Sequence, residues 1–439
     1  MVNAQSPSGS GSGPNSGNPL GAYLVVTAGY WAFMLSDGAL RMLVLLHFHE
    51  LGFSPVQLAY LFLLYEVMGV VTNLSAGWIA ARFGLTTTLY AGLILQIGAL
   101  IALAQLDPAW TLSVSVLFVM SVQGAAGVAK DLTKMASKSA VKLLVPEGAQ
   151  GQLFRWVAIL TGSKNAVKGL GFLLGASLLA LAGFEAAIWG MAAVLAVILI
   201  GAMAMMPAGL PRGSSKAKFR DIFSTDPRVN GLSLARVFLF AARDVWFVVG
   251  IPIYFYGVLS DGTPESARTA FFLIGTFMAV WIIGYGAVQA AAPALVRDEA
   301  ETERGATRIA QRWAGILTLV PLSLAVHVAL AGEPSTLTTA IVVAGLLAFG
   351  VVFAVNSSAH SYLILAFSRG ERVTMDVGFY YMSNAVGRLL GTLLSGLSYQ
   401  IGGLPLCLAT AALMAFLSWL AILRLPAPAA SSAETDAGA

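Results

Sequence analysis

The chain has 439 residues, 58% of them hydrophobic and only 10% charged, with a formal net charge of +4. Water-soluble domains carry about 25% charged residues, so this composition excludes a soluble globular protein and fits a chain whose surface faces a lipid bilayer. The basic residues lie between apolar runs rather than in one patch, which excludes nucleic acid as a partner, and one cysteine (Cys407) with four scattered histidines excludes an internal disulfide and a Cys/His metal centre.

In chain order, residues 1–21 are rich in Gly, Ser, Pro and Asn and read as a disordered tail with no basic start of a secretory signal. Apolar runs follow at 22–46, 56–81, 86–106, 110–131, 153–182 and 186–206. A polar, basic linker occupies 207–230. Six more runs lie at 232–258, 270–292, 313–331, 337–366, 375–399 and 403–424, and 426–439 read as a second disordered tail. About 20 apolar residues at 1.5 Å each cross the ~30 Å hydrocarbon layer. The expected fold is therefore an all-α membrane protein of twelve transmembrane helices, a six-helix half over 22–206 and another over 231–425.

Of the 25 Lys and Arg, eighteen fall at even-numbered loops or the C-terminal end and only Arg268 falls in an odd-numbered loop. The positive-inside rule then puts both termini in the cytoplasm of a multi-pass inner-membrane protein.

Spans three, six and nine contain no Asp, Glu, Lys or Arg, and span twelve carries only Arg424, its last residue. A charge inside the membrane costs roughly 2.5–3.5 kcal/mol on insertion scales, so the charges of the other spans should face a polar cavity or a partner. Span one carries Asp37 and Arg41, four apart on one helix face. Span two carries Glu66, and span four begins a four-spaced stripe, Lys130, Lys134, Lys138 and Lys142, beside Asp131. Span five carries Lys164, Asn165 and Lys168; span seven carries Arg243 next to Asp244; span eleven carries Arg388. Arg236, near the start of span seven, is expected to snorkel to the interface.

The candidate binding set is Arg41, Lys130, Lys134, Lys164, Lys168, Arg243, Arg388 and Asn165. Its seven cations face four acids, Asp37, Glu66, Asp131 and Asp244. Unpaired buried cations are costly, so the surplus calls for a small anionic ligand, and the planar fork of Arg suits an oxyanion. Proton coupling, if used, falls to Glu66 first, then Asp37 and Asp244. No H-E-x-x-H, G-x-S-x-G or phosphate-binding Gly-Lys loop is present, so no enzymatic activity is expected, and no metal or cofactor.

The halves repeat weakly. Asp37 precedes Phe48 by eleven residues as Asp244 precedes Phe255, and Asn165-Ala166-Val167 is followed after eighteen residues by Gly183 as Asn384-Ala385-Val386 is by Gly402. Gly77-Trp78-Ile79-Ala80-Ala81-Arg82-Phe83-Gly84 resembles the loop signature of the major facilitator superfamily, with Ala81 where that family has Asp. Parallel six-helix halves are that superfamily's plan.

The segments Ser36-Asp37-Gly38-Ala39-Leu40-Arg41, Ala129-Lys130-Asp131-Leu132-Thr133-Lys134-Met135, Leu160-Thr161-Gly162-Ser163-Lys164-Asn165 and Ala242-Arg243-Asp244-Val245-Trp246 resemble the ArsJ-type organoarsenical efflux permeases of that superfamily. The resemblance implies export of 1-arseno-3-phosphoglycerate, the ester that glyceraldehyde-3-phosphate dehydrogenase makes from arsenate. It thereby implies a functional link to that enzyme and arsenate resistance by a monomeric carrier. The alternatives are an organophosphate/phosphate exchanger and a drug/proton antiporter; the latter would call for an acidic, aromatic cavity.

Overall fold

The computed structural model describes residues 19–83, 85–144, 150–206, 224–295, 303–368 and 373–426, and every helix named below lies among them. The first six are α1 (Pro19–Glu50), α2 (Pro55–Phe83), α3 (Leu85–Leu103), α4 (Leu112–Leu144), α5 (Gln150–Ala182) and α6 (Phe184–Met205). The second half holds α7 (Pro227–Leu259), α8 (Pro264–Leu295), α9 (Glu303–Ala331) and α10 (Thr336–Phe367). A last helical stretch of 51 residues, Val373–Leu423, is broken at Gly402 (φ −143°, ψ 23°) and Gly403 (φ 60°, ψ −155°). Its apolar part alone, Gly378–Leu423, is 46 residues and would extend about 70 Å if continuous, more than two bilayer cores. The break makes two spans, α11 (373–401) and α12 (404–423), and with them twelve among the described residues.

Local sequence sets several of these starts. Ser54-Pro55-Val56-Gln57 is a capping box with proline at the first helical position: Ser54 N–H donates to Gln57 Oε1 at 2.8 Å and Gln57 N–H to Ser54 Oγ at 3.4 Å. Asp226-Pro227 opens α7 in the same way, the Asp226 carboxylate accepting from Arg228 N–H at 2.8 Å. Gly183 (φ 77°) separates α5 from α6 as the Gly402-Gly403 pair separates α11 from α12. Gly183 and Gly403 have the positive φ that glycine enters without strain; the repeat pairs Gly183 with Gly402, one residue before the second of these.

Packing repeats between halves. α1 packs on α5 as α7 does on the α11–α12 stretch; α2 and α3 pack on α4 as α8 and α9 do on α10. The halves join along two seams, α2 with α11 and α5 with α8. α1 and α7 are the most buried spans, whereas α6 and α9 expose large apolar side chains such as Val197 (67%) and Leu330 (83%), as lipid-facing helices must. At the end where α1 turns into α2 the halves are in contact: the His49 and Tyr256 rings meet edge to face at 4.9 Å, and Val56 N–H donates to Gln400 Oε1 at 3.2 Å.

Helix α9 starts ten residues before the expected run. Arg304, Arg308 and Arg312 lie four apart and exposed, while Ala306, Ile309 and Ala310 are buried, so an amphipathic turn pair extends the span beyond its apolar part. The side chains of Lys138 and Lys142, those of the signature segment 77–84, the basic loops 207–223, 296–302 and 369–372, and the tails 1–18 and 427–439 lie outside the described residues.

Candidate functional site

Midway along the spans, charges from α1, α2, α4, α5, α7 and α11 converge between the halves. Glu66 of α2 is at the centre and fully buried. Its Oε1 lies 3.2 Å from Arg41 Nη1 of α1, and its Oε2 lies 3.2 Å from Arg388 Nε of α11. The first contact is aligned as a hydrogen bond; the second is a Coulomb contact, with Arg388 Nε and Glu66 Oε2 both lacking a hydrogen-bond partner. One carboxylate therefore serves two guanidiniums, one from each half. Arg41 Nη2 is buried with no partner, and its guanidinium lies over the Phe62 and Tyr65 rings at 5.1 and 5.5 Å.

Tyr65, next to Glu66, organises the N-terminal side. Its hydroxyl donates to the Asp37 carboxylate, at 2.7 Å from Oδ1 and 3.0 Å from Oδ2, and its ring holds Lys130 Nζ 3.9 Å from the centroid. Lys130 is 6% exposed, and its Nζ has no hydrogen-bond partner. Asp131 accepts from Thr72 Oγ1 at 2.5 Å and lies 3.5 Å from Lys134 Nζ, which also donates to Asn73 Oδ1 at 3.1 Å. Among the described residues no carboxylate lies within ion-pair distance of Lys168; its Nζ lies 5.6 Å from the Phe172 centroid, in the electrostatic field of Arg41, Asp37, Arg388 and Arg243. Gly69 lies against this convergence: a Cβ there would be in ordinary van der Waals contact with Arg388 Nη2, Asp131 Oδ2 and Lys130 Nζ.

On the other side Arg243 Nε donates to Asp244 Oδ1 at 2.6 Å, and its guanidinium lies over the Phe240 and Phe353 rings at 4.9 and 5.6 Å. A π-helical turn, Trp246–Gly250, begins two residues later, with Pro252 two residues past its end. Proline lacks an N–H and disrupts regular helical bonding. The Ser395 hydroxyl of α11 accepts from Val249 and Gly250 N–H at 3.1 and 3.2 Å, and Cys407 Sγ of α12 lies 3.1 Å from Val245 O. Such turns often mark functional segments; this one is set directly beside an ion pair at the centre of the molecule.

Several expectations shift. Asp37 and Arg41 share a face but not a bond: each takes its partner from α2 instead. Lys164 is exposed, and Asn165 is wedged in the α5–α8 seam, where a Cβ on Gly286 would come within 3.0 Å of its Nδ2. The converging set is thus six cations (Arg41, Lys130, Lys134, Lys168, Arg243, Arg388) against four carboxylates, a surplus of two rather than three. Arg236 does not snorkel to the interface. It is 3% exposed, with Nε donating to Asn384 Oδ1 at 2.7 Å and Nη1 to Ser357 O at 3.1 Å. Sequence reasoning passes over Tyr65, Thr72 and Gly69; the adjacency of Tyr65 to a mid-membrane Glu is the available signal.

Three of the guanidiniums keep side-chain exposures of 13% (Arg41), 20% (Arg388) and 13% (Arg243). All three lie where helices of both halves converge. There surplus donors face carboxylates too few to neutralise them, which is the electrostatics of an anion site.

Over 93% of its length the chain superposes on a crystal structure of the nucleoside transporter NupG, a point mutant, covering 98% of that chain with a TM-score of 0.68 at 16% identity. Over 92% it superposes on a bacterial homologue of the iron transporter ferroportin in an inward-facing state, covering 98% of that chain with a TM-score of 0.67 at 14% identity. The chain has the major facilitator fold. No family model matches the sequence, and no curated protein matches it significantly. At these identities the likeness carries the fold and leaves the cargo to the chemistry of the site.

Proposed function

We propose that this chain is a secondary transporter that exports an anionic organoarsenical, 1-arseno-3-phosphoglycerate, across the inner membrane by alternating access. The observation that carries the reading is the cation surplus between the halves: Glu66 is shared by Arg41 and Arg388, while among the described residues Lys130 and Lys168 have no carboxylate within ion-pair distance. A cargo with two anionic ends meets that surplus, and guanidinium forks suit phosphate and arsenate oxygens. The family resemblance of the segments around Asp37, Lys130, Lys164 and Arg243 supplies the arsenic.

The geometry suggests how cargo drives the cycle. Arg388 belongs to one half and Glu66 to the other, so their contact ties the halves at mid-membrane. An incoming oxyanion competes with Glu66 for Arg41 and Arg388 and loosens that tie; Arg243 and Lys168 add charge from α7 and α5. With both termini in the cytoplasm, the contacts at the α1–α2 end close the outer side, and cargo loads from within. When cargo leaves, Glu66 re-pairs with both guanidiniums, so the empty carrier can reorient without a returning anion. That favours net export over an organophosphate/phosphate exchanger, and the cationic surplus disfavours a drug/proton antiporter. Protonating Glu66 would strand two buried cations; Asp37, whose hydrogen-bond partner among the described residues is the Tyr65 hydroxyl, is the better proton carrier if export is proton-coupled.

The test is arsenate resistance in a host lacking other arsenic exporters, with and without glyceraldehyde-3-phosphate dehydrogenase. Resistance should require both the transporter and the dehydrogenase. Resistance that persists without the dehydrogenase would overturn the ester as cargo.

A further inference from the structure

A second group of polar side chains lies in the C-terminal half, between α7, α10 and α11, and the central site does not use it. Arg236 is its cation. Among the described residues no carboxylate lies within ion-pair distance of it; its two hydrogen bonds go to neutral acceptors, the Asn384 amide and the Ser357 carbonyl. Flanking Ser357 on α10 stand Asn356 and His360, four apart and hence on one helix face. Both are fully buried. Neither amide atom of Asn356 and neither ring nitrogen of His360 has a hydrogen-bond partner, and Arg236 acts on the His360 ring electrostatically. Four orphaned polar atoms beside an uncompensated guanidinium are costly in a closed protein. They are accounted for if a ligand completes them.

The position of the cluster identifies that ligand's chemistry. Arg236 and Arg243 are seven residues apart on α7, two turns along the same face. Their guanidiniums lie over one ring, that of Phe240, at 4.4 and 4.9 Å from its centroid. The two cations are therefore no farther apart than those distances together, an upper limit within which a three-carbon chain with an anionic group at each end can reach both. Arg236, His360 and Asn356 supply donors from a guanidinium, an imidazole and an amide, the set that suits an oxyanion.

We propose that Arg236, Asn356 and His360 form a second oxyanion subsite, which takes one end of a two-headed organic anion while Arg41, Arg243 and Arg388 take the other. This rests on the reading of the central cluster as an anion site and adds a second point of recognition to it. Selectivity for two-headed over one-headed anions then resides in α7 and α10 of the C-terminal half.

The experiment uses the purified full-length chain, with equilibrium binding of inorganic phosphate and of 3-phosphoglycerate as one-headed and two-headed probes. Wild type should bind 3-phosphoglycerate at least tenfold tighter than phosphate. Arg236→Gln should remove most of that preference while leaving phosphate affinity within twofold. Asn356→Leu is the second variant, because the Asn356 side chain makes no hydrogen bond whose loss could unfold the protein; it should lower the preference severalfold. Arg388→Gln should weaken both probes together. An unchanged preference in Arg236→Gln and Asn356→Leu, or equal loss for both probes, would overturn the second subsite while the central site stands. Equal affinity of wild type for the two probes would overturn it as well. Phosphate binding indifferent to Arg388→Gln would instead sink the central site.

Discussion

Glu66→Gln isolates the central ion cluster, because it changes one charge with almost no change in volume. In the wild type one buried carboxylate, 0% exposed, stands 3.2 Å from each of two guanidiniums that are 13% and 20% exposed. Removing one partner of a buried ion pair typically costs about 3–5 kcal/mol, because an uncompensated charge is left behind. Here two cations lose the same counter-charge, and their limited exposure returns part of the cost through solvation, so a destabilisation of about 3 kcal/mol is expected. The same substitution leaves both guanidiniums free for an external oxyanion. Phosphate should therefore raise the midpoint of thermal unfolding more in Glu66→Gln than in wild type, since an anion that binds only the folded state stabilises it by mass action. Turnover should fall, because the empty carrier can no longer neutralise Arg41 and Arg388 as it reorients. The assay is thermal unfolding of the purified protein over a phosphate titration, alongside transport in vesicles. A variant as stable as wild type, with an unchanged response to phosphate, would refute the view that Glu66 holds the place of the cargo's charge.

Three further outcomes follow from particular contacts. Arg41→Ala and Arg243→Ala should each abolish export while the protein remains in the membrane at normal abundance, measured by vesicle transport and immunoblot; near-normal export removes that residue from the site. Lys168→Gln should weaken anion binding roughly tenfold with little change in stability, since its ammonium strands no carboxylate among the described residues, and equilibrium binding with unfolding curves separates the two effects. Asp226→Ala should cost about 1 kcal/mol of stability as a lost helix cap. Partial burial raises the Asp226 carboxyl, but the Arg228 N–H and guanidinium outweigh it and hold the group below the usual carboxylate range. Its contribution is thus present above the unfolded carboxylate value and lost as pH falls through the folded one, so the variant and wild type should converge in acid.

The spans are legible because lipid imposes one requirement, an apolar length near 20 residues, and this chain meets it repeatedly. The edges are less so: α9 begins at Glu303 because Arg304, Arg308 and Arg312 form an amphipathic extension that hydropathy does not register. The breaks at Gly183 and Gly402-Gly403 leave a trace in the repeat, which matches Gly183 with Gly402, although the second positive φ falls one residue on, at Gly403. In the site, the residue types are readable and the pairing is not. Glu66 and Arg388 are far apart in sequence, and nothing local connects them. Arg236 reads as an interface residue because its distance from the helix start suggests reach. Its seven-residue spacing from Arg243 and the repeated Asn384 are the signals that it points inward. The π-turn after Asp244 leaves only Pro252 as a trace.

Whether surplus cations between the two halves carry a two-headed arsenic ester outward is tested most directly in everted membrane vesicles supplied with radiolabelled arsenate. Accumulation of label should require the transporter, glyceraldehyde-3-phosphate dehydrogenase, its nicotinamide cofactor and glyceraldehyde 3-phosphate together, and should vanish in Arg243→Ala. Label that enters with arsenate alone, or none that enters with every component present, would contradict it.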